Sequence, residues 1–306
     1  MKKAVVVGGA GFIGSSVVDE ILKDGSWDEV LVIDNLSTGK RENVNSGAKL
    51  VVADIRNINE IEPHFKGATH VWHLAALPRV EPSIKDPITF NDINVNGTLN
   101  VFMSCRNNGV AKVVFSSSSS VYGEPKTHPT PEDADLNPMS PYALQKLHGE
   151  QYAKLFCDLY DMNISCLRYF NVYGKREPIE GFYVPVIGIW LRQLRSGKNL
   201  TITGDGKQIR DFVNVEDVAH ANRVAALYTP AGYSVYNVGS GKNHELNEVA
   251  RWICADENKI EYIAPRIEPR LTLADTSKLR KVGQGVLPEP LSLKEYLERE
   301  LKDAKA

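Results

Sequence analysis

The chain has 306 residues, 42% of them hydrophobic and 24% charged, and its 36 basic residues face 38 acidic ones for a formal charge of -2. This composition excludes wholesale disorder, and the near-balanced charge gives no polyelectrolyte reason to bind nucleic acid or an anionic membrane surface. The uncharged run at residues 4–18 is too short to cross a bilayer, is broken by glycines and lacks the flanks of a signal peptide.

Short apolar runs rich in β-branched residues recur along the first two-thirds. Residues 4–7, 30–33, 50–53, 70–73, 112–115 and 163–168 are expected strands, separated by spacers long enough for crossover helices. Strands apolar along their whole length suit a parallel sheet covered on both faces, so the expected fold is α/β with a Rossmann-type doubly wound sheet. After about residue 170 the pattern changes to shorter elements broken by the turn clusters 174–178 and 203–206. A cofactor domain over 1–172 and a smaller mixed α/β substrate domain over 173–306 follow, with a soft boundary, because Val235–Val238 looks like a further strand able to rejoin the main sheet.

The first strand runs into Gly8-Gly9-Ala10-Gly11-Phe12-Ile13-Gly14 and then a helical pattern. Glycines let the backbone turn tightly and approach a pyrophosphate at a helix N-terminus, although tight strand–helix packing alone also explains such a turn. Asp34 ends the next strand, twenty residues after Gly14, where a carboxylate can accept from both ribose hydroxyls and repels a 2′-phosphate, which favours NAD over NADP. Asp54 ends the third strand and serves either the adenine side or a turn cap.

Tyr-x-x-x-Lys occurs twice. Gly123 and Pro125 forbid a regular helix between Tyr122 and Lys126. Tyr142 and Lys146 follow Ser140-Pro141, an N-cap with proline at the first helical position, so they share one helix face. A lysine ammonium beside a phenol lowers its pKa, which a base acting on an alcohol needs near neutral pH. A surface aromatic stacked on a lysine stem explains the pair equally well until the serine run 116–120 is added, one hydroxyl of which could bond both a substrate alcohol and the Tyr142 oxygen.

These motifs, with Asp34-Asn35-Leu36-Ser37-Thr38-Gly39, Asp54-Ile55-Arg56, His73-Leu74-Ala75-Ala76, Asn94-Val95-Asn96-Gly97-Thr98, Val121-Tyr122-Gly123, Arg168-Tyr169-Phe170-Asn171-Val172-Tyr173-Gly174 and Gly204-Asp205-Gly206-x-x-x-Arg210-Asp211-Phe212, appear in that order. Together they resemble the extended short-chain dehydrogenases/reductases of the NAD-dependent nucleotide-sugar epimerase/dehydratase group, to about Lys278. The resemblance implies Ser118, Tyr142 and Lys146 as the catalytic set, with Lys146 also holding the nicotinamide ribose. It implies an NAD site built from Gly8, Gly11, Phe12, Ile13, Gly14, Asp34, Asn35, Ser37, Asp54, Ile55, Leu74, Ala75, Ala76, Ser116, Tyr169 and Asn94, the last as a strand-end asparagine. Ser118, Ser119, Asn171, Arg210 and Thr272 fall on the substrate side, with either Arg266 or Arg270 as a second diphosphate-binding arginine, because Arg266-Ile267-Glu268-Pro269-Arg270 departs from the family's Arg-x-Gly-Asp/Glu. It also implies a homodimer through the helices near 99–108 and 142–160, whose apolar residues intramolecular packing would equally explain.

Within the family, dehydratases and decarboxylases carry a carboxylate in the stretch that here reads Ser118-Ser119-Ser120. Its absence leaves chemistry that needs only a base and a hydride acceptor. The expectation is NAD-dependent 4-epimerisation of a UDP-hexose through a transient 4-keto sugar, with Tyr142 as base. The small Thr272 should admit an N-acetyl group at C2, so UDP-GlcNAc/UDP-GalNAc joins UDP-glucose/UDP-galactose. A 4,6-dehydratase or decarboxylase with its acid elsewhere is the alternative enzyme, and a non-catalytic NAD-binding protein the alternative of another class. The four cysteines form no Cys-x-x-Cys pair and the seven histidines show no metal-ligand spacing, so the expected protein is reduced, cytoplasmic and metal-free.

Overall fold

A computed structural model describes residues 1–178, 185–266 and 268–303. Its centre is a seven-stranded parallel sheet in the order β10-β6-β5-β4-β1-β2-β3, made of β1 (Lys3–Val7), β2 (Glu29–Asp34), β3 (Lys49–Val52), β4 (Ala68–His73), β5 (Lys112–Ser118), β6 (Ile164–Tyr169) and β10 (Tyr233–Val238). Side chains alternate between faces along each strand. Val5, Val7, Leu31 and Ile33 join one core with Phe102, Phe115 and Phe156, from the side covered by helices Thr98–Asn107 and Pro141–Tyr160. Ala4, Val6, Val30 and Val32 join the other with Val18, Val218 and Val224, from helices Phe12–Lys23 and Val215–Leu227.

The strand order turns outward in both directions from β1 and β4, which makes their C-terminal ends the switch point where ligands bind in such sheets. The N–H groups of Leu74 and Ala75 both donate to the Val7 carbonyl, at 2.8 and 2.9 Å, so the two strand ends are stitched together there.

Two departures from the sequence pattern shape the site. β5 does not stop at Phe115 but runs to Ser118, because β6 pairs alongside it as far as Ser118 opposite Tyr169. β7 (Asn171–Tyr173) starts one residue after β6 ends, yet pairs elsewhere, in a three-stranded sheet with β9 (Ile209–Asn214) and β11 (Asn243–Glu245). A two-stranded ribbon of β8 (Leu200–Thr203) and β12 (Ile260–Ile263) completes that region, over a third core around Tyr173, Trp190, Phe212, Val249 and Leu297. β10 returns the chain to the edge of the main sheet beside β6.

Candidate active site

The glycine turn is held by close backbone packing. Gly8 has φ 85°, and a Cβ there would lie 2.4 Å from the Ala75 nitrogen; a Cβ on Gly14 would lie 2.1 Å from the Gly8 carbonyl oxygen. Gly11 is the N-cap of the helix that begins with Phe12, Ile13 and Gly14, and it gives no side-chain cap. The first-turn N–H groups therefore remain available to an anion, as a dinucleotide pyrophosphate requires. Asp34 accepts from the Ala10 and Leu36 N–H groups at 2.9 and 2.8 Å, which fixes its carboxylate beside the turn. Asn35 accepts from the Ser37 N–H and donates to Asp54. The uncapped helix start with Asp34 beside it fits an NAD.

Asp54 accepts from the backbone and side chain of Arg56, and that contact holds its carboxyl well below the usual carboxylate range. It caps the turn after β3. Ile55 points inward, under Gly97, where a Cβ would come within 2.6 Å of it. Leu74, Ala75 and Ala76 line the switch point after β4.

Asn94 is not at a strand end. It lies in a π-helical turn, Asp92–Gly97, where the extra residue per turn swings its amide inward. There it brackets the loop after β4, accepting from the Leu77 N–H at 2.8 Å and donating to the Leu77 carbonyl at 2.9 Å and to Gln145 at 3.0 Å.

Ser140 accepts from the Ala143 N–H at 3.2 Å and Pro141 opens the helix that carries Tyr142 and Lys146. Ser118, at the end of β5, lies against the Tyr142 phenol. Ser120 donates to Ser118 at 2.9 Å, and Ser119 begins the short 3-10 turn that follows. Ser116 pairs with the Tyr169 hydroxyl at 3.0 Å, which bonds Asn222 in turn. Ser117 bonds Glu150, whose carboxylate holds Arg168 through two contacts of 2.9 and 2.7 Å.

Lys146 differs from the expectation drawn from its spacing. Its ammonium donates to the Ser116 carbonyl at 2.7 Å and lies 6.0 Å from the Tyr142 ring centroid. Burial pulls Lys146 down to about 8 and pushes the Tyr142 phenol up; the Ser118 hydrogen bond and the charge of Arg79 pull the phenol back. Arg79, which the sequence reading missed, adds its charge to the surroundings of Tyr142. Nothing in the local sequence marks it: its distinguishing feature is a φ of 98° on a non-glycine residue. Glu177 was missed too. It bonds the Gly188 and Gly174 N–H groups at 3.0 and 3.4 Å, and burial raises it to about 7.

On the other side of the cleft Asn171 donates to the Asp211 carbonyl at 2.8 Å and to the Thr272 hydroxyl at 3.3 Å. Arg210 is buried and pairs with Glu268 at 2.8 Å. Arg266 pairs at 3.3 Å with Glu81, in the first turn of the helix Val80–Lys85. Arg270 is bidentate on Asp205, at 2.8 and 3.0 Å, while its N–H binds Glu124. Beside them is an open cleft of about 390 Å³ lined by Glu124, Asp205, Gln208, Arg266, Glu268 and Arg270; Ser118, Tyr142, Asn171, Arg210 and Thr272 are not in its lining.

Residues 4–239 match the NAD dependent epimerase/dehydratase family. The chain belongs to that family. It is 37% identical over 292 residues to a UDP-glucose 4-epimerase of Mycolicibacterium smegmatis, covering 92% of each chain. It superposes on the UDP-glucose 4-epimerase of Thermotoga maritima, solved with UDP-glucose, with a TM-score of 0.91 at 34% identity, covering 98% of this chain and 97% of that one. The UDP-N-acetylglucosamine 4-epimerase of Methanobrevibacter ruminantium, solved with UDP-N-acetylmuramic acid, gives a TM-score of 0.89 at 36% identity over 98% and 97%. NAD is the cofactor that the family uses. Among the described residues no helix is long and apolar enough to cross a membrane.

Proposed function

We propose that this family member interconverts the C4 epimers of a UDP-hexose, with Tyr142 as the base. The observation that carries the reading is the contact of Ser118 with Tyr142 at the mouth of β5, in a serine run that supplies hydroxyls and no carboxylate. The three similar proteins, each named a UDP-sugar 4-epimerase, support the substrate class.

The Tyr142 phenolate accepts the C4 hydroxyl proton and later returns it to the epimer, while Ser118 bonds the same sugar oxygen and keeps it in line. Lys146, anchored on the Ser116 carbonyl, holds the nicotinamide ribose. Bound NAD supplies the oxidising power that makes C4 transiently planar. Between the two proton transfers the pyranose turns over while Arg210, Asn171 and a second arginine keep the diphosphate still. Arg266 suits that second role better than Arg270. It is held by one contact of 3.3 Å, to Glu81, whereas Arg270 is held by two shorter ones to Asp205.

Thr272 shapes the C2 side. Its hydroxyl accepts from Asn171 and from the Asp211 N–H, which leaves a small methyl-bearing wall. We place UDP-GlcNAc/UDP-GalNAc beside UDP-glucose/UDP-galactose on this ground. Thr272→Tyr should lose the N-acetylated substrate first; equal loss on both refutes the assignment. A homodimer fits the exposed Leu144, Leu155 and Leu159 on the tyrosine helix, and sedimentation tests it.

The test of the reaction is to incubate the protein with UDP-glucose and with UDP-GlcNAc and follow C4 stereochemistry by NMR. Tyr142→Phe should lower the rate about 10²–10⁴-fold. A 4-keto-6-deoxy product would replace this reading with the dehydratase one.

A further inference from the structure

Asp211 is a fully buried carboxylate that the proposed reaction does not use. It follows Arg210 on β9, so the two side chains leave the strand on opposite faces. Arg210 meets Glu268, whereas Asp211 meets the segment that carries Thr272. That segment lies along the start of β9. Ile209 donates to the Arg270 carbonyl and accepts from the Thr272 N–H, both at 3.0 Å, a parallel ladder pair about Leu271. Two residues on, where the next ladder pair would fall, side chains take over. The Asp211 N–H donates to the Thr272 hydroxyl at 3.3 Å, its carbonyl accepts from the Asn171 amide at 2.8 Å, and its carboxylate accepts from the Ala274 N–H at 3.0 Å.

We propose that Asp211 is the positioning residue that sets where Thr272 stands against the sugar, and with it the tolerance for the C2 substituent. This rests on Thr272 bounding the C2 side. The carboxylate is saturated: Oδ1 accepts from the Ser240 N–H and hydroxyl at 2.7 and 2.8 Å, and Oδ2 from the Gly241 N–H at 3.1 Å as well as from Ala274. A Cβ on Gly239 would lie 2.6 Å from Oδ2, so the turn after β10 packs directly on it. Both oxygens must accept, so an amide of the same shape cannot substitute, because its NH2 would face N–H donors. Beyond Ala274 the segment is gripped again, by the Thr130 N–H on the Leu273 carbonyl at 2.7 Å and the Asp275 N–H on the Thr130 carbonyl at 3.0 Å. Releasing the Asp211 latch therefore frees the residues between two surviving anchors and not the fold.

The experiment measures dissociation constants for UDP, UDP-glucose and UDP-GlcNAc by calorimetry on the full chain, with Tm recorded in parallel. Asp211→Asn should weaken UDP-GlcNAc about tenfold, the scale of one lost apolar contact in a pocket, and the other two ligands less than about twofold. Gly239→Ala presses on Oδ2 without removing it and should weaken UDP-GlcNAc in the same sense, which gives the same answer if Asp211→Asn does not fold. Ser240→Ala takes away one of the four donors and leaves the Ala274 bond, so it should lower Tm and keep the ratio of the two sugar nucleotides. Unchanged or tighter UDP-GlcNAc binding in Asp211→Asn overturns the inference. So does an equal or greater weakening of UDP or UDP-glucose, which assigns Asp211 to general support, or an equal loss of selectivity in Ser240→Ala. Thr272→Tyr separates the underlying reading. If it shifts the ratio and Asp211→Asn does not, only the role of Asp211 falls; if it leaves the ratio unchanged, the C2 assignment falls and takes this inference with it.

Discussion

Replacing Glu150 with Ala tests whether the helix of Tyr142 is locked to β6 by a buried charge pair. The side chains of Glu150 and Arg168 are 2% and 4% exposed, and they meet through two short contacts. Glu150 also receives the Ser117 hydroxyl, next to Ser118, and lies one turn beyond Lys146. The substitution leaves a guanidinium buried without its counter-charge, which costs about 3–5 kcal/mol. For a chain of this size that is a fall in Tm on the order of 6–10 °C. Urea unfolding followed by circular dichroism measures it. Arg168 also donates to the Tyr122 hydroxyl and the Glu132 carbonyl, so Arg168→Met is damaging by itself. The double variant should nonetheless fall short of the summed single costs by about 2–3 kcal/mol, because the orphaned charge is gone. A single cost below about 1 kcal/mol, or strict additivity, would show that the pair carries no such load. In the folded fraction kcat should drop more than KM rises, since what loosens is the alignment of Tyr142 with Ser118.

Other expectations follow from the same geometry. Gly14→Ala forces a Cβ to within 2.1 Å of the Gly8 carbonyl, so NAD content of the purified protein should fall to background; a normal cofactor content refutes the role of the turn. Glu177 has a folded pKa of about 7 against 4.5 for the free group, so its neutral form is favoured by folding. The stability it contributes is complete below about pH 4.5 and is lost as pH rises through 7, so the Tm advantage of Glu177→Gln over the parent should grow between pH 5 and 8. A constant difference across that range contradicts the burial argument.

The parallel sheet was legible because its strands are apolar on both faces, and periodicity reports that directly. The Tyr142 helix was legible because Ser140 and Pro141 are a local start signal. What stayed hidden depends on contacts distant in the chain. Ser116–Ser118 read as a serine run just past the strand 112–115, yet they belong to it because β6 pairs with them. Asn94 read as a strand end, yet a π-helical turn places it. Spacing put Lys146 beside Tyr142 correctly, but not the direction of its ammonium, which the Ser116 carbonyl fixes from thirty residues away.

The single residue between β6 and β7, Phe170, carries a consequence for anyone dividing this protein. The chain leaves the large sheet there and regains it only at β10, whose Val235, Tyr236 and Val238 cover the β6 edge and whose neighbour, helix Val215–Leu227, packs against helix Phe12–Lys23. A fragment cut after residue 172 would therefore keep every glycine of the turn and both Tyr142 and Lys146, yet would be left with a raw strand edge and a stripped sheet face. The two halves are not interchangeable modules. Grafting a different sugar-recognising half means transplanting the outer strand and its helix as well.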